Sequence, residues 1–286
     1  MKNTMVIFIV LILTACAPSA SLPPTPSLTA TLIPTVTPTP TLTPSPTPVP
    51  NGPCDNPLVP MVIGNEWRYL VTTPNGEKLY NLKAVDRQDS RNIVMLVEFG
   101  DGEGSVQEQV VCIDGAIDNF PLFMMDMLFT DYLNKLFNTY HDHGYYAPAH
   151  QTFADNDWML NWEAEYLTED VAYIKNPIGG SDLTVLESSP IFLSFEMDGT
   201  REPVTVPAGE FSQAIKVSHT FSLTVTVTLP TGGAGGHLTL FTTQWYEPYV
   251  GLVRTELESA SLRTGTQEFS VPMQSIVELI EFTPGK

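Results

Sequence analysis

Positive charge is scarce in this sequence. It has 13 Lys and Arg against 32 Asp and Glu, a formal net charge of −19, and such a polyanion is repelled by nucleic acid and by anionic headgroups. Nucleic-acid partners are excluded on that ground, and a basic patch cannot be what holds the chain to a membrane. Catalytic signatures are missing as well: there is no G-x-S-x-G or S-x-x-K nucleophile motif. The glycine-rich run 232–236 has no following Lys, Ser or Thr of a phosphate loop and reads as a hairpin turn between two strands. Residues 17–53 carry no charge, and Thr and Pro alternate from Thr35 to Pro50 without an aromatic side chain, so no core can form there. The apolar run Met5 to Leu13 is too short to span a bilayer.

That short run has a different use. Lys2 supplies a positive start, Met5 to Leu13 an apolar region, and Ala15 the small residue before a signal-peptidase cut. Leu13, Thr14, Ala15 and Cys16 resemble the lipobox of bacterial lipoproteins, which implies acylation of Cys16 as the first residue of the mature chain. The expected organisation is a signal peptide at 1–15, a lipidated cysteine and disordered Thr/Pro stalk at 16–53, and a β-rich extracytoplasmic domain at 54–286. In extended polyproline geometry the stalk reaches roughly 115 Å, a semi-rigid spacer from the cell membrane. With Cys16 taken by lipid, Cys54 and Cys112 remain, and in an oxidising compartment they are expected to pair.

From Cys54 onward the dominant hydrophobic period is two. Trp67, Tyr69 and Val71 share a strand face; Pro74 to Glu77 is a turn; further strands are expected at 79–85, 93–99 and 106–113. Strands resume after an irregular segment, 141–157, with 158–167, 183–187, 191–197, 218–229, 237–246, 251–259 and 269–282. The fold class expected is mainly β: a single curved antiparallel sheet, half-barrel-like, with one amphipathic helix. The helix is read over 120–140, where Met125, Leu128, Phe129, Tyr132, Leu133, Leu136, Phe137 and Tyr140 recur at i, i+3, i+4 and i+7. Its apolar surplus needs cover from the sheet, from a partner or from a ligand. Met125, Phe129, Leu133 and Phe137 are the candidate ligand-binding residues.

Three islands carry a second resemblance. Pro60, Gly64, Asn65, Trp67 and Tyr69; Val204 to Phe211 with Ala214 and Val217; and Trp245 to Val253 are similar to a recurring pattern in uncharacterised extracytoplasmic bacterial proteins, many of them lipoproteins. That resemblance implies a curved antiparallel sheet and no catalytic residues. On their own terms the islands read as sheet corners, with Gly209 and Gly251 free to take positive φ.

Other residues offer chemistry. His141, Asp142, His143 and His150 could hold zinc if their segment is extended, although no metal-site motif accompanies them. The pairs Glu163/Glu165 and Glu256/Glu258 each share a strand face and would serve acid/base work only if buried. The reading is a membrane-anchored, non-catalytic binding or surface-interaction module with no cofactor and no metal. Its partners would be the membrane through the lipid and an envelope or extracellular protein. The alternatives are a carrier of a lipid or other apolar ligand and a metal-dependent hydrolase using the 141–150 loop.

Overall fold

A computed structural model of the chain describes residues 54–99, 104–133, 138–229 and 232–285. The signal peptide, Cys16 and the stalk lie outside the described residues, as does Phe137. Among the described residues no helix is long and apolar enough to cross a membrane.

The chain opens with a meander, β1 (Glu66–Thr73), β2 (Gly76–Arg87), β3 (Asn92–Phe99), β4 (Gly104–Ile113) and the short β5 (Ala116–Ile117). Next come α1 (Leu122–Leu128), β6 (Thr139–Gly144), α2 (His150–Asp155), β7 (Met159–Thr168), β8 (Ala172–Ile174) and β9 (Leu183–Val185). The rest is β10 (Pro190–Asp198), β11 (Arg201–Val206), β12 (Gly209–Leu229), β13 (Gly232–Glu247), β14 (Gly251–Thr264), β15 (Gln267–Val271) and β16 (Ile276–Thr283). All strands belong to one antiparallel sheet whose main path runs β5-β4-β3-β2-β1-β16-β14-β13-β12-β10-β7-β6.

The sheet is mostly antiparallel neighbours in sequence, so short turns suffice to build it, and period-two burial decides which face is inside. In β10 Ile191, Leu193, Phe195 and Met197 are buried while Phe192, Ser194, Glu196 and Asp198 point out. The sheet curls until its two ends touch. Ile117 N–H donates to the Ala147 carbonyl at 2.8 Å, and Tyr146 N–H donates to the Ile117 carbonyl at 2.9 Å. This single bridge is not a ladder, and the sheet is not closed into a barrel.

The start of the domain is fastened across that seam. Cys54 and Cys112 form a disulfide with a Cα–Cα distance of 5.3 Å. Asn56, fully buried, donates to the carbonyls of Pro148 at 2.7 Å and Gly115 at 3.0 Å, while its own oxygen accepts from Leu58 and Val59 N–H. The first and third sequence islands meet here as well. Trp67 Nε1 donates to the Val250 carbonyl at 2.6 Å and Tyr69 Oη to the Leu252 carbonyl at 2.9 Å. Gly251 takes φ +98°, where a side chain is strained, and a Cβ there would sit a tight 3.2 Å from Pro60.

Four expectations need correction. The helix read over 120–140 is seven residues long, Leu122–Leu128, with Phe129 as its C-cap. Tyr132 and Leu133 close turns onto the Phe129 carbonyl, Leu133 bridges Ile174, and Tyr140 lies on β6. Apolar residues at helical spacing here serve a turn and a strand in succession. The segment 141–157 is not irregular, because it contains the end of β6 and all of α2. The glycine run 232–236 is strand, paired residue for residue with 225–229. At its end the neighbouring strand crowds it: a Cβ on Gly236 would meet the Arg263 carbonyl oxygen at 3.0 Å. Finally, 269–282 is two strands, β15 and β16, separated at Pro272 to Ser275.

Candidate functional site

The concave side of the sheet is filled by its own chain. Phe129 is 1 % exposed and meets Phe221 edge-on at 5.6 Å, and Phe120 packs against Phe221, Tyr166 and Tyr146. Met125 is equally buried, and Leu133 is partly buried against the same core. The space beside α1, lined by Phe123, Met124, Trp67 and Tyr246 among others, amounts to about 30 Å³. That volume is of the order of one water and far below the several hundred Å³ of a typical ligand pocket. The helix's apolar surplus is thus covered by the sheet.

One buried polar cluster in this interior is tied together, although His219 Nε2 has no hydrogen-bond partner among the described residues. His219 Nδ1 lies 3.1 Å from Thr242 Oγ1 and 3.3 Å from Gln244 Nε2, and Tyr246 Oη donates to Gln244 Oε1 at 2.8 Å. Burial pushes His219 down to about 3, so the ring is neutral, stacked on Phe195 with centroids 4.5 Å apart. Glu108 on β4 has no helical position yet caps α1, accepting from Leu122 N–H at 2.5 Å and Phe123 N–H at 3.0 Å. It replaces the side-chain cap that Pro121 cannot supply. Burial pushes Glu108 up to about 8, against the lowering effect of those two hydrogen bonds.

Between the two tied ends of the sheet lies a cavity of about 420 Å³, lined by Glu108, Asp118, Phe120, Tyr140 and His141 among others. Much of its polar chemistry is already engaged: Glu108 caps α1, and His141 Nδ1 lies 3.4 Å from Asp118 Oδ1.

A second hollow, about 350 Å³, sits on the outer face of the sheet and crosses β7, β10 and β12. Glu163, Glu165, Phe192, Ser194, Thr220 and Ser222 form its floor, with His143 at its rim. The outward residues of β12 are hydroxyls throughout this stretch: Ser218, Thr220, Ser222, Thr224, Thr226 and Thr228. Against this polar row two aromatic rings stand in solvent, Phe192 at 45 % and Phe241 at 44 % exposure. Phe241 pairs with Thr220 and Phe192 with Ser222, so both rings rise from the same face.

The histidines of the 141–150 loop do not converge. β6 carries one extra residue against β7: His141 pairs with Tyr166 and His143 with Glu165, leaving Asp142 as a bulge. One inserted residue inverts the alternation. His141 therefore turns inward to Asp118 and Tyr166, His143 turns outward to Glu165, and His150, on α2, lies edge-on to Tyr249. The same bulge puts Asp142 beside His143, whose Nδ1 lies 3.5 Å from both Asp142 Oδ2 and Glu165 Oε2. Glu163 and Glu165 share the outer hollow as their strand face predicts, whereas Glu256 pairs with Arg254 and Glu258 accepts from Thr243 at 2.7 Å.

Several residues with structural weight leave no trace in hydrophobic patterning: Asn56, Glu108, His219 and Gln244 are set by partners distant in sequence. Of these, Asn56 alone has a local signal, the Asn-Pro turn it starts.

No protein-family model matches the chain, and no curated protein does. Two solved structures resemble it. One is a protein assigned as exported, with a YmcC-like fold, from Bacteroides fragilis NCTC 9343: 18 % identity, 78 % of this chain and 97 % of that one covered, TM-score 0.42. The other is a protein assigned as a lipoprotein, from Parabacteroides distasonis ATCC 8503: 14 % identity, 82 % and 100 % covered, TM-score 0.43. At these values neither likeness assigns a fold or a role to this chain.

Proposed function

We propose that this chain is an extracytoplasmic lipoprotein, anchored to the cell membrane through Cys16, whose β-rich domain binds an envelope or extracellular protein without catalysis. The observation that carries the reading is the contrast between a concave face filled by Phe120, Phe129 and Phe221 and an outer face that keeps Phe192 and Phe241 in solvent beside a hollow. Rigid aromatic rings lose little entropy on contact and anchor interfaces well, and hydroxyl rows supply adaptable hydrogen bonds around them. The Cys54–Cys112 disulfide supports an oxidising compartment, and the Thr/Pro stalk supplies reach to a partner away from the bilayer. The test has two parts. Cys16→Ser should release the chain from the detergent phase into the aqueous one. The released chain should then cosediment with isolated cell envelopes, and Phe192→Ala should weaken that binding about tenfold or more. Binding that is indifferent to Phe192 and Phe241 would refute the outer-face reading.

A further inference from the structure

We infer that Asp142, His143 and Glu165 form a site for a first-row divalent transition metal of the zinc type, open towards the outer hollow of the sheet. Among the described residues this is the group whose imidazole and carboxylate donor atoms all lie within 4.8 Å of one another. A tetrahedral zinc ion holds nitrogen and oxygen ligands at about 2.0–2.2 Å, which sets neighbouring donors roughly 3.3–3.6 Å apart. His143 Nδ1 stands 3.5 Å from Asp142 Oδ2 and 3.5 Å from Glu165 Oε2. The spacing therefore accommodates an ion with small adjustments of exposed side chains.

The backbone explains why these three meet. In a regular ladder residues 142 and 143 would face opposite sides of the sheet; the extra residue in β6 brings both to the side of Glu165. The next residue locks the arrangement. Gly144 has φ +80°, and a Cβ there would fall 2.2 Å from the Glu163 carbonyl oxygen, so the chain can hold this close approach to β7 with glycine alone. Ligands on a bulge paired to a neighbouring strand are held more firmly than ligands on a free loop.

Donor chemistry selects the metal class. Imidazole with two carboxylates suits zinc and its first-row neighbours, whereas calcium and magnesium prefer oxygen alone. The chain's net charge of −19 favours any cation, so specificity has to come from the imidazole. Three protein ligands leave at least one position of a tetrahedral ion open. His143 and Glu165 both border the outer hollow, with Glu163 beside them, so that position is available to a donor entering from it. The site stands whether or not the hollow receives a protein partner.

The test is isothermal titration of zinc chloride into the full chain carrying Cys16→Ser with its disulfide intact, so that no thiol competes. The expected result is one saturable equivalent at micromolar zinc that millimolar calcium does not displace. His143→Ala, Asp142→Asn and Glu165→Gln should each weaken it at least about tenfold, while His141→Ala and His150→Ala leave it unchanged. Asp142 and His143 are exposed and Glu165 is partly exposed, and loss of binding is separated from unfolding by the thermal midpoint of each variant. Absence of a saturable equivalent, displacement by calcium, or an equivalent that survives His143→Ala and Glu165→Gln would overturn the site.

Discussion

The two faces of this one sheet have opposite economies of aromatic side chains. On the inner face Phe120 packs on Tyr166 and Phe221, Phe129 meets Phe221, and the space beside α1 holds little more than a water. On the outer face Phe192 and Phe241 touch solvent, among hydroxyls and carboxylates that could have been continued across the whole face. An aromatic ring inside a β protein needs no functional explanation. Two rings on one polar sheet face, Phe192 lining a hollow and Phe241 paired with its Thr220, are a candidate contact surface. The comparison teaches that a curved sheet with a helix in its concavity need not be a container, because the helix can be the filling.

The largest effect that would break this contrast is at the inner face. Phe129→Ala removes a fully buried ring from the centre of the packing and should cost about 3–5 kcal/mol, read as a lowered denaturant midpoint. A cost under about 1 kcal/mol would mean the ring is not core. Next in size is the staple at the domain's start. Cys112→Ser opens a bridge with a sequence separation of 58, and on the chain-entropy model should cost up to about 4 kcal/mol. Unchanged stability after reduction of the native chain would contradict it.

A smaller and pH-dependent effect separates the buried groups. Glu108 is pushed from 4.5 up to about 8 by burial, so between those values the folded chain holds a proton that the unfolded chain has lost. Stability from this group falls as pH rises through that window. His219 is pushed from 6.5 down to about 3, so below 6.5 the unfolded chain binds a proton that the folded chain refuses, and stability falls as pH drops. The slopes oppose each other between 4.5 and 6.5. Glu108→Gln should flatten the stability–pH curve above 6.5 and steepen its acid fall between 4.5 and 6.5, where His219 is then unopposed; an unaltered alkaline side would show that Glu108 titrates normally. Smallest of all is Phe192→Ala, which should move stability by about 0.5 kcal/mol, because its ring stands at 45 % exposure on the outer face.

The strands were legible because a half-buried strand writes its two faces into the sequence, and β10 and β12 do so almost without exception. The spacing over 120–140 predicts a longer helix than the one that forms, because Tyr132, Leu133 and Tyr140 keep helical spacing while serving a turn, a bridge and a strand. No local pattern announces a bulge, and one inserted residue decided the candidate metal chemistry. At His141 and His143 the i, i+2 spacing suggested convergence on one face, and Asp142 sent them to opposite faces. The glycine run 232–236 misled for the opposite reason: turns favour glycine, but so does a strand pressed by its neighbours, as Gly236 is by Arg263 and Thr264.

The central claim is that the concave face is filled and the outer face is the working surface. It is tested most directly by titrating an environment-sensitive apolar fluorophore, anilinonaphthalene sulfonate, into the native full chain carrying Cys16→Ser. With the space beside α1 near 30 Å³, we expect no saturable interior binding, and Phe129→Ala should lower stability without changing the fluorescence of the folded chain. Stoichiometric probe binding that Phe129→Ala abolishes, with little loss of stability, would contradict the account and make the inner face a ligand chamber.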